Sequence, residues 1–200
     1  MFYNVKDYPK LQIVEDSWEI IKKEYIENDT DSLLIGRREA ALHETLDENN
    51  NYVPNAHEGH TMNPYDYYDG KWLMFGFRYR GGDLLENQAM FPQTMRILNS
   101  IGYYVHTMGF SVLDANSHIN RHSDPDEIEP PQKTMRGHLG LINCNDKCSL
   151  TLFDHTGGEE TYRWKAGELM IFDIQQEHKA DNFSSEKRVV MLFDFKIKEL

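Results

Sequence analysis

Imidazole and carboxylate side chains stand close together in the middle of this sequence. His122 and Asp124 lie in the stretch NSHINRHSDPDE, residues 116–127, and a further histidine, His178, follows an apolar run in IFDIQQEHKADN. Side chains two residues apart on an extended chain share one face, about 7 Å apart, so a ring and a carboxylate at a strand end can converge on one ion. The alternative is a polar loop in which Asp124 caps a helix.

Two histidines and one carboxylate form a known ligand set. In the facial triad of non-haem Fe(II) oxygenases they occupy one face of the coordination sphere and leave the remaining positions open. His178 can supply the third ligand, so we predict a metal site made of His122, Asp124 and His178. His118, four residues before His122, would share its face on a regular strand.

A second prediction concerns Arg188, which begins the apolar stretch RVVMLFDF ten residues after His178. A charged side chain in a buried strand requires an anionic partner, because an unpaired buried charge is strongly destabilising. A guanidinium can bind a carboxylate through two parallel hydrogen bonds. The distal carboxylate of 2-oxoglutarate would fit this role, and the alternative is an internal acid such as Asp173 or Asp194.

Helices come first in the chain and short strands follow. Apolar residues with a helical period predict a helix over residues 12–28, and weaker patterns predict helices over 31–46 and 91–101. From about residue 102, aromatic and β-branched stretches alternate with turn residues at roughly ten-residue spacing. This pattern predicts a mainly β fold with flanking helices, a β-sandwich or jelly roll.

The length and charge of the chain limit what it can be. Its 200 residues suit one domain, in which a helical and irregular part, 1–70, packs on a β core, 71–200. Acids outnumber bases by 33 to 21, and this balance argues against a nucleic-acid partner. There is no run of about 18 apolar residues and no leader pattern, so we expect no membrane partner. The two cysteines fit a cytoplasmic protein.

Four ordered stretches of the chain resemble the aspartyl/asparaginyl β-hydroxylase family of Fe(II)/2-oxoglutarate oxygenases. They are FSVLDANSHINRH (110–122), RGHLGL (136–141), GELMIFD with the EHKADN that follows it (167–182), and RVVMLFDF (188–195). The resemblance extends over about residues 70–200. It implies a double-stranded β-helix, the jelly roll of cupin-like proteins, with Fe(II), 2-oxoglutarate and O2 as cofactors and co-substrates.

The resemblance also implies roles for single residues. His122 and His178 match the family's iron-binding histidines, and with Asp124 they are the predicted catalytic residues. Roles in binding 2-oxoglutarate fall to Ser111, Arg136, His138 and Arg188. The founding animal members resemble this chain but have glycine where Asp124 stands. Two ligand sets therefore remain open, and we predict the set that includes Asp124 over the two histidines alone.

The reaction implied by the resemblance is the hydroxylation of an unactivated carbon, with release of succinate and CO2. The expected substrate is a small molecule or a peptide, and specifically an amino acid, either free or as a residue. One alternative is the same chemistry on another metabolite, a nucleotide or a lipid. The other is a cupin-like binding module without catalytic activity.

Overall fold

The computed structural model describes residues 1–36, 68–69, 72–124, 132–143 and 145–198, and within them two antiparallel sheets lie face to face with helices against one of them. The helices are α1 (Gln12–Asp16), α2 (Trp18–Glu27), α3 (Leu85–Ala89) and α4 (Pro92–Asn99), with 3₁₀ turns at Val5–Asp7, Pro9–Leu11 and Thr30–Leu33. The strands are β1 (Ile35–Gly36), β2 (Tyr68–Asp69), β3 (Trp72–Tyr79), β4 (Gly82–Asp83), β5 (Val105–Leu113), β6 (Ser117–His122), β7 (Gln132–Ile142), β8 (Cys148–Phe153), β9 (Glu159–Arg163), β10 (Leu169–Asp173), β11 (His178–Asn182) and β12 (Arg188–Lys198).

The order of the strands identifies the fold. The larger sheet runs β1-β3-β5-β12-β7-β10, with β4 on β3, and the smaller sheet runs β2-β6-β11-β8-β9. From β5 to β12 the chain passes back and forth between the two sheets, and only the hairpin β8–β9 stays within one sheet. This alternation is that of a double-stranded β-helix, so the predicted jelly roll with flanking helices is confirmed.

The larger sheet presents two different faces because neighbouring side chains of a strand point in opposite directions. Along β12, Val189, Met191 and Phe193 belong to the core shared with the helices, whereas Val190 belongs to the core between the sheets. Arg188 has the same parity as Val190 and is buried on the inner face. Ser111 on β5 and Arg136 and His138 on β7 likewise alternate with residues of the core shared with the helices, so their side chains point between the two sheets.

The predicted helices have different outcomes. The helix predicted over residues 12–28 is confirmed as α1 and α2, with a break at Ser17, and the helix over 91–101 is confirmed as α4. The helix over 31–46 is wrong where the structure describes it: Thr30–Leu33 form a 3₁₀ turn, and β1 pairs with β3. The backbone hydrogen bonds offered by the sheet edge outweigh a weak helical pattern there. Residues 37–46 lie outside the described residues.

Helix α4 is fastened to α2 by a buried carboxylate. Glu24 accepts hydrogen bonds from the backbone N–H groups of Gln93 (3.0 Å) and Thr94 (2.7 Å), in the first turn of α4. These groups have no partner within the helix itself, and a negative charge is favoured at a helix N-terminus. The contact joins the N-terminus of α4 to α2. Within the described ranges, no helix has the length and apolarity needed to span a membrane.

Candidate metal centre

Two adjacent strands of the smaller sheet bring the predicted histidines together. His178 at the start of β11 pairs directly with His122 at the end of β6, and their ring centroids lie 4.3 Å apart. Asp124 follows two residues after β6, where its backbone N–H donates to the carbonyl of Ile174 at 3.0 Å. This bond ties the segment after β6 to the turn before β11, so all three predicted ligands meet at one end of the sheet.

An irregularity in β6 decides which of its side chains enter this space. His178 pairs with His122, but Ala180 pairs with Ile119, so β6 has one residue more than β11 over this interval. Such a β-bulge reverses the alternation of side chains. Ile119 and His122 are therefore both buried, while His118, next to Ile119, lies on the opposite face. The expectation that His118 shares the face of His122 is wrong because the strand is not regular.

The ligand atoms of the three residues form a compact group. One such atom from each of His122, Asp124 and His178 lies within 4.8 Å of the other two. The Nε2 atoms of His122 and His178 are each 3.9 Å from a carboxylate oxygen of Asp124. The Nδ1 atoms contact the carbonyls of Asn120 (2.7 Å) and Gln176 (2.8 Å). Since a carbonyl only accepts, each Nδ1 carries the proton and Nε2 keeps its lone pair for the cluster.

The protonation states also suit a cation. Burial, reinforced by the positive charge His122 would carry, lowers the pKa of His178 to about 4. Burial alone would raise the pKa of Asp124, but Arg136 and the two histidines outweigh it and lower that pKa to about 2. At neutral pH His178 is thus uncharged and Asp124 ionised, and these are the forms that bind metals. The donor set fits the facial triad of non-haem iron sites.

Arg136 lies directly behind the carboxylate of the cluster. Its Nη1 donates to Oδ2 of Asp124 at 2.5 Å, while Nε and Nη2 donate to the two carboxylate oxygens of Asp194 at 2.7 and 2.9 Å. Burial works against the charged guanidinium, but Asp194 and Asp124 together raise the pKa of Arg136 above its ordinary value. All three side-chain nitrogens of Arg136 therefore donate to Asp124 or Asp194. The role in binding the co-substrate, which the resemblance implies for Arg136, stays a prediction.

A second group of polar side chains lies between the sheets. Arg188 is 1% exposed, and its guanidinium carbon lies 4.5 Å from the ring centre of Trp164. The His138 ring is 5.9 Å from that of Trp164, and Ser111 accepts a hydrogen bond from Trp72 at 3.0 Å. Asp173 and Asp194, the internal acids considered as partners of Arg188, form ion pairs with Lys133 and Arg136.

Three ring nitrogens of this group are buried without a hydrogen-bond partner among the described residues. They are both ring nitrogens of His138 and Nε1 of Trp164. Burial, assisted by the positive charges of Arg136 and Arg188, holds the pKa of His138 well below its usual value, so this ring is neutral. Buried polar atoms in proteins are nearly always satisfied. Orphaned donors and acceptors beside a buried arginine fit a polar, anionic ligand in this space.

The structure therefore assembles the residues selected from the sequence. His122 and His178 come from the smaller sheet and Asp124 from the segment after β6, whereas Ser111, Arg136, His138 and Arg188 belong to the larger sheet. Of these four, Arg136 contacts the cluster directly, through Asp124. Sequence reasoning missed Trp164 and the partnership of Asp194 with Arg136. Strand alternation could have placed Asp194 on the inner face, because Arg188 and Asp194 are six residues apart on one strand and share a face.

A double-stranded β-helix with two histidines and a carboxylate at one end of its inner space defines a class of metal-binding jelly rolls. Within that class, the chain belongs to the aspartyl/asparaginyl beta-hydroxylase family, whose model matches residues 15–197. The resemblance predicted from the sequence is thus confirmed.

Similar proteins include two curated relatives and solved structures. The chain is 29% identical over 129 residues to an ornithine lipid ester-linked acyl 2-hydroxylase from Rhizobium tropici, and 30% identical over 133 residues to aspartate beta-hydroxylase domain-containing protein 2 from Mus musculus. These matches cover 64% and 62% of this chain but only 42% and 36% of the two relatives. A prolyl-4-hydroxylase structure from Pseudomonas putida is similar with a TM-score of 0.46 and 15% identity, over 90% of this chain and 87% of that one.

Proposed function

We propose that this protein is an Fe(II)- and 2-oxoglutarate-dependent dioxygenase that hydroxylates an unactivated carbon and releases succinate and CO2. The observation that supports the proposal is a pair of complementary groups on either side of Phe172, whose ring lies 5.0 Å from that of His178 and 5.6 Å from that of His138. Ligand atoms of His122, Asp124 and His178 lie within 4.8 Å of one another at one end of the smaller sheet. The inner face of the larger sheet carries the buried arginine and the orphaned ring nitrogens of His138.

In this proposal the residues divide the work between metal and co-substrate. The Nε2 atoms of His122 and His178 and the carboxylate of Asp124 would hold the ion. Arg188, supported by Ser111, would bind the distal carboxylate of 2-oxoglutarate, and the neutral ring of His138 would hydrogen-bond to the same molecule. Bound Fe(II) and 2-oxoglutarate together supply the power to oxidise a C–H bond with O2. The two sheets shelter the reacting groups from water.

The substrate that we propose is an amino acid, free or within a peptide. The family's description and the name of the mouse relative support it. A lipid acyl chain is the second candidate, because the Rhizobium relative is named for that substrate. A cupin-like binding module without turnover is less well supported, since it does not require a neutral His178 and an ionised Asp124 in one cluster.

We also propose that residues 1–200 form one oxygenase domain, in which 1–70 pack on the β core 71–200. Leu11 and Val14, which precede β1, support this organisation because they belong to the same buried cluster as residues of β5 and β12.

The cytoplasmic location remains a prediction. The buried thiol of Cys148, which donates to the carbonyl of Asn143 and to Asn182, is consistent with a reducing compartment.

Incubation with substrate pools tests the proposed reaction. Wild-type protein with Fe(II), 2-oxoglutarate and air would be offered amino acids and peptides, and separately acyl lipids in micelles, with His178→Ala as the matched inactive variant. A member of the first pool is expected to gain the mass of one oxygen atom, with an equal amount of succinate formed. A gain only in the lipid pool would replace the proposed substrate. Binding of 2-oxoglutarate without succinate from any pool would favour the binding module.

A further inference from the structure

The guanidinium of Arg136 connects two acids, the buried Asp194 and the partly exposed Asp124. Arg136 on β7 is the direct cross-strand partner of Asp194 on β12, and both side chains lie on the inner face of the larger sheet. The pair is bidentate, with nitrogen–oxygen distances of 2.7 and 2.9 Å. The remaining terminal nitrogen, Nη1, extends to Asp124 at 2.5 Å. The order Asp194, Arg136, Asp124 thus joins the larger sheet to the metal cluster.

Asp124 needs such support more than the two histidines do. His122 and His178 lie within strands, and each ring is fixed by a carbonyl at its Nδ1. Asp124 lies beyond the end of β6, and its side chain is 28% exposed. A side chain at the end of a strand can adopt several rotamers, and ordering it costs conformational entropy. The hydrogen bond from Arg136 to Oδ2 selects one rotamer, in which Oδ1 is 3.9 Å from Nε2 of His122.

Asp194 in turn fixes Arg136. A guanidinium is a planar fork, so two parallel bonds to one carboxylate determine the direction of the third nitrogen. Without Asp194, the long Arg136 side chain would be tethered only to the carboxylate that it has to orient. Asp194 is 5% exposed and lies in the middle of the sheet, where its own position is set by two neighbouring strands.

We propose that Asp194 and Arg136 are positioning residues that hold Asp124 as a metal ligand. This inference rests on the proposed metal site. It adds that two residues of the larger sheet, Asp194 and Arg136, determine how tightly Asp124 binds the metal. Loss of an outer hydrogen-bond partner of a metal ligand typically costs about 10- to 100-fold in metal affinity. A cross-sheet ion pair that only stabilised the fold would leave metal affinity unchanged.

The test is a Co(II) titration of the folded protein, followed by visible absorption and calorimetry. Asp194→Asn is expected to weaken Co(II) binding by about 10- to 100-fold. Arg136→Lys should do the same, because a lysine ammonium lacks the planar fork that holds Asp194 with two nitrogens and directs the third towards Asp124. The matched control is Asp83→Asn, which breaks another arginine–aspartate pair, that with Arg78 at 2.6 Å, and should bind Co(II) like the wild type.

A double-mutant cycle separates positioning from a general loss of stability. In an Asp124→Ala background, Asp194→Asn should have no further effect on Co(II) affinity, since the residue through which it acts is gone. An equal loss in both backgrounds, or unchanged affinity in both Asp194→Asn and Arg136→Lys, would overturn the inference while leaving the metal site intact. Failure of the wild type to bind Co(II) would instead refute the proposed function. If Asp194→Asn does not fold, Arg136→Lys decides.

Discussion

Replacing Asp124 with alanine is expected to abolish succinate formation while leaving the protein folded. The carboxylate is the anionic member of the ligand cluster, and without it only His122 and His178 remain to hold a divalent ion. The loss should exceed the roughly 100-fold that removal of an outer hydrogen-bond partner of a ligand costs. Arg136 keeps its bidentate bond to Asp194, so the buried guanidinium is not left without an anion. Succinate release, measured at saturating 2-oxoglutarate, is the readout.

Asp83→Ala is the matched control for this prediction. It removes an aspartate that pairs with an arginine on the edge of the larger sheet and has no place in the cluster. Full activity in Asp83→Ala and none in Asp124→Ala would support the three-ligand set. If Asp124→Ala keeps wild-type activity, the two histidines suffice, and the alternative of a two-ligand site is correct.

A second large effect is expected for Arg188→Lys, which should raise the KM for 2-oxoglutarate by about 10- to 100-fold, or roughly 1.4–2.8 kcal/mol. Arg188 is buried beside Trp164, with its guanidinium carbon 4.5 Å from the centre of the indole ring, and a guanidinium can bind a carboxylate through two parallel bonds. Lysine keeps the charge but loses the fork. Because the residue would act on co-substrate binding, kcat at saturating 2-oxoglutarate should fall much less than kcat/KM.

Arg163→Lys provides the comparison, since Arg163 is an exposed arginine of β9 that donates to the carbonyl of Asp146. It should leave the KM for 2-oxoglutarate unchanged. Anaerobic binding of 2-oxoglutarate to Fe(II)-loaded Arg188→Lys should weaken in parallel with KM. An unchanged KM in a folded Arg188→Lys variant would show that Arg188 has only a structural role and would remove the assigned 2-oxoglutarate site.

Much of the inner surface could be predicted from sequence because it depends on strand alternation. Once RVVMLFDF is taken as a buried strand, the parity of its residues follows, and Arg188 must face the same way as Val190 and away from Val189. The structure has this arrangement. Periodicity likewise located α2 and α4, whose apolar faces are buried. These are local properties, and each depends on a few consecutive residues.

The features that escaped prediction depend on contacts between distant segments. The bulge in β6 between Ile119 and His122 turns His118 away from the site, and nothing in SHINRH marks the extra residue. The bond between Arg136 and Asp194 requires the register of β7 against β12, which joins residues 58 positions apart. Trp164 follows directly after β9 and contacts Arg188 on β12 only when the two sheets pack against each other.

The most direct measurement is an anaerobic titration of the protein with Fe(II) in the presence of 2-oxoglutarate, followed by visible absorption. A charge-transfer band arises only when the keto acid chelates the bound iron, so it reports metal and co-substrate together. The band is expected to saturate at one equivalent of Fe(II) in the wild type and to be absent from His178→Ala. A folded wild-type protein that develops no band, or one whose band survives the loss of His178, would contradict an iron site made of His122, Asp124 and His178.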